Sequence, residues 1–254
     1  DDASNDDMAG SIEISTTSSD RVAVLESFSS NTCGPCATTN GNIMNPIMSG
    51  INENEVGSNY AFVKYQMDYP APGTDPYYNG DADTRHGYYG VSGIPSQFFN
   101  GVNEPDWNWN STAATWGDAQ ANVQAQWDYE AGKPARVGIT AVGTRTNNSD
   151  LSIDVTLDAN TALPNTVLHV AVLNTEYTQT GGTNGETEFH HVNRKMLPNS
   201  SGTSIAALTA GGSSMENLTY SYTVGTASQG NNMFYDNNIE VIVWLQNAST
   251  KEVY

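Results

Sequence analysis

The chain has 254 residues, enough for two ordinary domains that each have a hydrophobic core. Hydrophobic residues make up 37% of the chain and aromatic residues 9%, whereas only 15% are charged. Nine basic and 28 acidic residues give a net charge of −19 at pH 7, which repels phosphate backbones and anionic membranes and excludes nucleic acid as a partner. The sequence has no run of about 18 apolar residues, so it predicts no transmembrane segment.

Residues 1–19 are rich in Asp, Ser and Thr, and this composition predicts a flexible acidic lead-in. The chain begins with Asp1, as we expect if a targeting segment has been removed. Asn, Ser, Thr and Gly replace charged residues throughout, which is common in exported proteins. These features predict an exported protein.

The first half of the chain alternates strands and helices. An apolar run predicts a buried strand over 21–28, and a second strand is predicted over 60–67. Between them, apolar residues at spacings of three and four predict a helix that Pro46 interrupts: Ile43, Met44, Ile47, Met48 and Ile51. Residues 68–89 are too irregular to assign. A strand is predicted over 94–100 and a helix over 113–130.

The second half changes to short alternating strands separated by Asn- and Gly-rich turns. The predicted strands are 135–142, 151–157, 167–173, 188–197, 218–224 and 239–245. This pattern predicts an all-β antiparallel sandwich, immunoglobulin-like or jelly-roll-like. The breaker Gly132-Lys133-Pro134 gives the domain boundary, with one domain over 20–132 and the sandwich over 133–254.

The two cysteines of the chain, Cys33 and Cys36, stand directly before the first predicted helix. A disulfide between them closes so short a loop that it hardly constrains the unfolded chain. Helix N-termini favour the thiolate form of cysteine, so the pair is a candidate redox couple. Its chemistry needs no metal or organic cofactor. Zinc is disfavoured because a structural zinc ion takes four ligands.

The order of these features resembles thioredoxin. The resemblance rests on Cys33-Gly34-Pro35-Cys36 between a strand and a helix, and on Gly93-Ile94-Pro95 before a later strand. It implies an α/β thioredoxin-like domain in which Cys33 attacks client disulfides and Cys36 resolves the mixed disulfide. It also implies that Ile94 and a cis-Pro95 line the client groove together with Gly34 and Pro35. Lys64 is similar to a buried lysine of that family.

Two positions depart from the thioredoxin pattern. Ser27 stands where thioredoxins usually carry a buried acid, and Thr32 stands where an aromatic residue commonly precedes the first cysteine. Glu26 is adjacent but points to the opposite face of its strand, because side chains alternate along a strand. Glu26 and Lys64 are therefore supporting candidates only.

Residues 190–198, His-His-Val-Asn-Arg-Lys-Met-Leu-Pro, follow the thioredoxin-like part of the chain. Together the two features resemble the twenty-eight-kilodalton outer-membrane-protein-related family of Gram-negative envelopes. The resemblance implies an envelope or surface location, with a lipid anchor or a dedicated secretion machinery as the means of attachment or export.

Three acidic residues in a Gly-rich stretch, Asp75, Asp81 and Asp83, are calcium candidates, although a solvated acidic loop is the favoured interpretation. The leading functional hypothesis is an exported thiol-disulfide oxidoreductase that exchanges disulfides with protein clients. The alternative is a cell-surface binding or adhesion module whose disulfide is structural.

Overall fold

The structure is a computed structural model that describes residues 11–16, 21–55, 57–73, 75–102, 115–146, 150–178, 182–221, 223–224, 233–234 and 238–254. Thirteen strands lie within these residues: β1 Ser11–Thr16, β2 Ala23–Ser29, β3 Tyr60–Gln66, β4 Ser96–Phe99, β5 Val137–Thr146, β6 Asp150–Ala159, β7 Thr166–Thr178, β8 Glu188–Leu197, β9 Thr203–Ile205, β10 Ser213–Ser221, β11 Thr223–Val224, β12 Met233–Phe234 and β13 Ile239–Gln246. The same residues contain four α-helices: α1 Gly34–Thr39, α2 Asn45–Ile51, α3 Gly80–Tyr89 and α4 Trp116–Ala131.

A mixed seven-stranded sheet forms the centre of the molecule. Its strand order is β13-β7-β8-β3-β2-β4, and β9 also pairs with β7. The strands β2, β3 and β8 run parallel, whereas β4, β7 and β13 pair antiparallel to their neighbours. The sheet therefore joins strands from both halves of the sequence.

A second sheet has four antiparallel strands in the order β1-β5-β6-β10. Alternation along β6 buries every second residue, as expected for a sheet with one solvated face. The buried residues Leu151, Ile153, Val155 and Leu157 of β6 share one hydrophobic core with residues of β7 and β13. The second sheet therefore packs against the part of the central sheet that the second half of the chain supplies.

The helices cover the other parts of the central sheet. The side chains of Leu25 and Phe62 pack with Ile43 and with Trp127 of α4 in one core. Val63 and Tyr65 belong to a different core that includes residues of α3. Because side chains alternate along a strand, β2 and β3 are buried on both faces.

Local sequence explains where the helices begin and end. Cys33 is the N-cap of α1. A π-helical turn over Asn40–Met44 joins α1 to α2. Pro46 lies in the first turn of α2, where a helix tolerates proline. The side chain of Asn79 caps α3. At α4, Thr115 and Asp118 form a capping box, and the helix ends before Gly132.

The prediction of an α/β thioredoxin-like domain followed by an all-β sandwich is wrong. Strands predominate over helices in the described residues, and β7, β8 and β13 extend the sheet of β2, β3 and β4 instead of forming a separate sandwich. The physical reason is that β7 and β8 are buried on both faces, which suits the interior of a central sheet. The periodicity of the sequence indicates which strand residues are buried, but it does not identify the strand that pairs with them in the sheet.

Two further expectations need correction. The stretch Ser11–Thr16, assigned to the flexible lead-in, pairs with β5 over its whole length. The passage predicted to be irregular contains α3, which follows the Asn79 cap and ends at Gly90 in the left-handed conformation.

Some predictions extend beyond the described residues. Residues 1–10 and 17–19 of the predicted lead-in, 113–114 of the predicted helix and 222 of a predicted strand lie outside them. The division into 20–132 and 133–254 stays a prediction, and α4 does end at the residue before Gly132.

No helix in the described part of the chain is long and apolar enough to cross a membrane.

Candidate functional site

The cysteine pair lies where β2 ends and α1 begins. A turn redirects the chain, with the Cys33 amide donating to the Ser30 carbonyl at 3.1 Å. The backbone N–H of Cys36 then donates to the Cys33 sulfur at 3.1 Å. A backbone donor directed at sulfur stabilises negative charge there, so this geometry favours Cys33 as the thiolate when the disulfide is open.

Cys33 and Cys36 form a disulfide, with an S–S distance of 2.01 Å. Both residues are buried, with exposed fractions of 1% and 0%, whereas Gly34 and Pro35 between them are exposed. The molecular surface at the site is therefore formed by the residues between the cysteines, and access to either sulfur requires displacement of neighbouring groups.

The Ile94 carbonyl oxygen lies 3.7 Å from the Cys33 sulfur. The bond between Ile94 and Pro95 is cis, as predicted, and β4 begins at the next residue. Ile94 and Pro95 are both half-buried. The structure thus brings this segment to the cysteine pair, although 61 positions in the sequence separate Cys33 from Ile94.

The segment that contains Pro70 and Asp75 holds the turn before Cys33 through hydrogen bonds. Thr32 Oγ1 donates to the Pro70 carbonyl at 2.9 Å. The Asn31 amide donates to the Asp75 carboxylate, also at 2.9 Å. The loop that precedes α3 is therefore bonded directly to the residues that lead into the cysteine motif.

A residue from the second half of the chain also holds this turn. The Asn184 side-chain amide donates to the carbonyls of Ser30 and Cys33, at 3.0 and 3.2 Å. Polar contacts from two distant segments of the chain therefore hold the cysteine motif and the turn before it.

Asp75 is a buried carboxylate within this arrangement. Its two oxygens accept from the amides of Asn31 and Tyr77, each at 2.9 Å. Burial raises the pKa of Asp75 to about 6, although the two amide donors and the charge of Arg194 act in the opposite direction. Asp75 therefore changes charge close to the cysteine motif in the mildly acidic range.

Lys64 is fully buried on β3, and its Nζ has no hydrogen-bond partner among the described residues. Its ammonium lies 5.9 Å from the centre of the Phe62 ring, and Phe62 packs with the helices that follow the cysteines. Burial lowers the pKa of Lys64, and the Glu186 carboxylate opposes that change. Lys64 and Ser27 are direct neighbours in the β2–β3 pairing, and the Ser27 hydroxyl is also without a hydrogen-bond partner in this part of the chain.

Glu26 lies on the opposite face of β2 from Ser27. It forms a buried ion pair with Arg85 at 2.7 Å and accepts from the Tyr65 hydroxyl at 2.8 Å. Burial acts most strongly on the pKa of Arg85 and lowers it, but Glu26, Tyr89 and Tyr65 together raise that pKa overall, so the guanidinium stays charged. Glu26 therefore belongs to a structural cluster around α3 rather than to the surroundings of the disulfide.

The three calcium candidates have separate surroundings. Asp75 accepts from backbone amides as described, Asp81 accepts from the Lys195 ammonium and the Met196 amide at 2.9 Å each, and Asp83 is exposed in the first turn of α3. Across the described ranges, no group of three or more His, Cys, Asp or Glu side chains could hold a metal ion.

Sequence reasoning missed the residues that surround the motif from the second half of the chain. Asn184 is visible in the sequence only as part of a turn signal with Gly185, and no pattern distinguishes Glu186. Their role depends on the approach of the β7–β8 connection to α1, which no local pattern specifies.

Comparison with known proteins shows a shared fold. No protein-family model and no curated protein matches the chain. The solved structure of HBP35 of Porphyromonas gingivalis is similar, with a TM-score of 0.63 and 15% identity over 94% of this chain and 74% of that one. A domain of the outer membrane lipoprotein Omp28 from Porphyromonas gingivalis covers 47% of this chain and 83% of its own length, with 19% identity and a TM-score of 0.34. At 15% identity the likeness to HBP35 concerns the fold alone.

Proposed function

We propose that the protein is an exported thiol-disulfide oxidoreductase that exchanges disulfides with protein clients through Cys33 and Cys36. The observation that carries the proposal is the 3.1 Å contact from the Cys36 backbone N–H to the Cys33 sulfur. This donor favours the thiolate on the first cysteine, and thiolate is the attacking form in exchange. A disulfide between residues so close in sequence adds little stability, so exchange explains its presence better than stapling does.

The proposed reaction transfers two electrons. The Cys33 thiolate attacks a client disulfide, forming a mixed disulfide and releasing one client thiolate. Cys36 then loses its proton, and its thiolate attacks the Cys33 sulfur. The Cys33–Cys36 disulfide forms, the second client thiolate leaves, and the two client sulfurs take up two protons. The reverse sequence oxidises a client dithiol.

The position of the Ile94 carbonyl supports a client groove beside the cysteine pair. It lies 3.7 Å from the Cys33 sulfur and is followed by Pro95, while Gly34 and Pro35 are exposed within the motif itself. An extended client segment with a disulfide would lie between these two stretches of backbone. We therefore propose that Gly34, Pro35, Ile94 and Pro95 line the groove.

Export is supported by chemistry and by composition. Disulfides persist in oxidising compartments, and an acidic chain with few charged residues suits an exported protein. The location that we propose is the cell envelope, the cell surface or the medium around a Gram-negative bacterium, which is what the resemblance to the outer-membrane-related family implies. Membership of the outer-membrane-related family belongs to the same proposal, with attachment to the envelope or passage through secretion machinery. Protease treatment of intact producing cells tests surface display, since a periplasmic protein would be degraded only after the envelope is opened.

A redox titration of Cys33 and Cys36, combined with trapping of clients by Cys36→Ser, tests the exchange activity. The variant retains the attacking thiol and lacks the resolving one, so mixed disulfides with client proteins are expected to accumulate. Cys33→Ser is the matched control and should trap none. A reduction potential far below that of the surrounding redox pool, with no trapped client, would contradict the proposal.

One observation favours a second function, a cell-surface binding or adhesion module with a structural disulfide. Both cysteines are buried, and polar contacts from two distant segments of the chain hold the motif and the turn before it. Alkylation of the reduced native protein separates the two functions. Rapid modification of Cys33 supports exchange, whereas resistance to both reduction and alkylation without unfolding supports the binding module.

A further inference from the structure

Glu186 connects the two ends of the short helix that carries Cys36. At one end, the Asn184 amide donates to the Cys33 carbonyl at 3.2 Å and to Glu186 Oε2 at 2.5 Å. At the other end, the side-chain amide of Asn40, the C-cap of α1, donates to Glu186 Oε1 at 2.6 Å. Cys36 lies on the buried side of α1 between these two ends. A single carboxylate is therefore linked to both ends of the helix.

The surroundings of this carboxylate contain a buried amine that has no hydrogen-bond partner among the described residues. Lys64 is fully buried, its Nζ has no hydrogen-bond partner in the described part of the chain, and the Glu186 charge acts on it. Ser27, the neighbour of Lys64 in the β2–β3 pairing, also has a hydroxyl without a partner among these residues. Buried polar atoms without partners are costly in a structural core. Their presence on the face that packs against the cysteine helix points to a functional role there.

Other charged groups face this region from the elements around it. Burial raises the pKa of Asp75, which lies before α3, and the Glu186 charge acts in the same direction, whereas Arg194 of β8 opposes it. Burial lowers the pKa of His190 of β8, and the Lys64 charge lowers it further. Among these groups, Glu186 is the carboxylate that bonds to the cysteine helix itself.

We propose that the Glu186 carboxylate, held by Asn184 and Asn40, is the general base that accepts the proton that Cys36 loses when it resolves the mixed disulfide. This inference rests on the proposed thiol exchange and assigns a residue of the second half of the chain to it. Cys36 is fully buried, so its proton needs an acceptor within the protein. When Cys36 attacks Cys33, the proton passes to the Glu186 carboxylate, and the released thiolate leaves with the electron pair of the broken S–S bond.

Reaction of the reduced protein with dithiobis(nitrobenzoate) in a stopped-flow spectrometer tests the inference. In the first phase Cys33 attacks the reagent and releases one coloured thiolate, and in the second phase Cys36 displaces the other. At pH 7 we expect the rate of the first phase in Glu186→Gln to stay within about twofold of the wild-type rate. The rate of the second phase should fall at least about tenfold. The difference between the second-phase rates of the variant and the wild type should become smaller as the pH rises, because hydroxide then removes the proton from Cys36.

Glu188→Gln is the matched control. It removes the same charge from an exposed side chain two residues away, so it should leave both phases unchanged. Asn184→Ala provides a second test, because it retains the Glu186 carboxylate but removes its link to the Cys33 carbonyl. We expect a slower second phase in this variant, with a smaller decrease in rate than in Glu186→Gln. If Glu186→Gln does not fold, Asn184→Ala decides the outcome.

The outcomes distinguish this inference from the proposed function. Absence of the first phase in the wild-type protein would contradict thiol exchange itself. Two normal phases in the wild type, with an unchanged second phase in Glu186→Gln, would overturn the role of Glu186 alone. A second phase slowed equally at every pH would also overturn it, since that result indicates a purely structural effect.

Discussion

The two faces of β2 and β3 differ in how far their buried polar side chains are hydrogen-bonded. On the α3 face, the Glu26 carboxylate accepts hydrogen bonds from Arg85 and Tyr65. On the cysteine face, the Lys64 ammonium and the Ser27 hydroxyl have no hydrogen-bond partner among the described residues. The first cluster is well bonded and therefore suits a structural role. The second is not, and it lies on the face that packs against the helices after the cysteines.

The largest effect is expected where the bonded cluster is broken. Arg85→Met leaves the Glu26 carboxylate buried without its cation, so we expect the free energy of unfolding to fall by about 3 to 5 kcal/mol. Urea denaturation followed by circular dichroism measures this change. The double variant Glu26→Leu with Arg85→Met removes both charges and should recover much of the loss. A loss below about 1 kcal/mol for Arg85→Met would show that the pair contributes little.

The Asp75 carboxylate gives the next largest effect, and it depends on pH. Its pKa is raised from 3.8 to about 6 in the folded protein, so the folded state holds a proton that the unfolded state has already released. The stability contributed by this proton is present below pH 3.8 and is lost as the pH rises to about 6. We expect a decrease on the order of 2 to 3 kcal/mol across this window, measured by urea denaturation at a series of pH values.

Asp75→Asn should remove this dependence. The comparison concerns the slope of unfolding free energy against pH, because the amide also loses one acceptor for the backbone donors of Asn31 and Tyr77. Equal slopes for the wild type and the variant between pH 3.8 and 6 would assign the dependence to other groups.

The smallest effect is expected for Lys64→Met, the same kind of substitution as Arg85→Met on the opposite face. Burial disfavours the Lys64 ammonium, and no hydrogen bond from the described residues compensates for its desolvation. We expect the free energy of unfolding, again from urea denaturation, to stay the same or to rise by about 1 kcal/mol. A loss comparable to that of Arg85→Met would mean that Lys64 is as well compensated as Arg85 and would remove the contrast between the faces.

Much of the site was predictable because its signals are local. The cysteine pair, the buried strand before it and the helix after it follow from residue types over a short stretch, whereas the resemblance to thioredoxin implied the cis-proline at Pro95. The cis bond at Pro95 agrees with that prediction. Arg85 was not identified because the passage around it shows no clear periodicity, although α3 forms there.

The strand predictions illustrate the limit of local patterns. The strand predicted over 188–197 coincides with β8, yet its pairing with β3 could not be predicted. Alternation and apolar runs indicate that a strand is buried, on one face or on both, but they do not select its neighbour. The separate sandwich was wrong for this reason.

The sequence by itself determined the cysteine pair, its position at the start of a helix and the acidic character of the chain. Only the tertiary structure decided how the two halves share one sheet and which carboxylate reaches the cysteine helix. The hydrogen bond between Asn40 and Glu186 joins residues 146 positions apart, and that between Arg85 and Glu26 joins residues 59 positions apart. Such contacts depend on how complete strands and helices pack. Many residues in the sequence could serve as the partner of a buried polar group, and only the packing determines which one lies close to it.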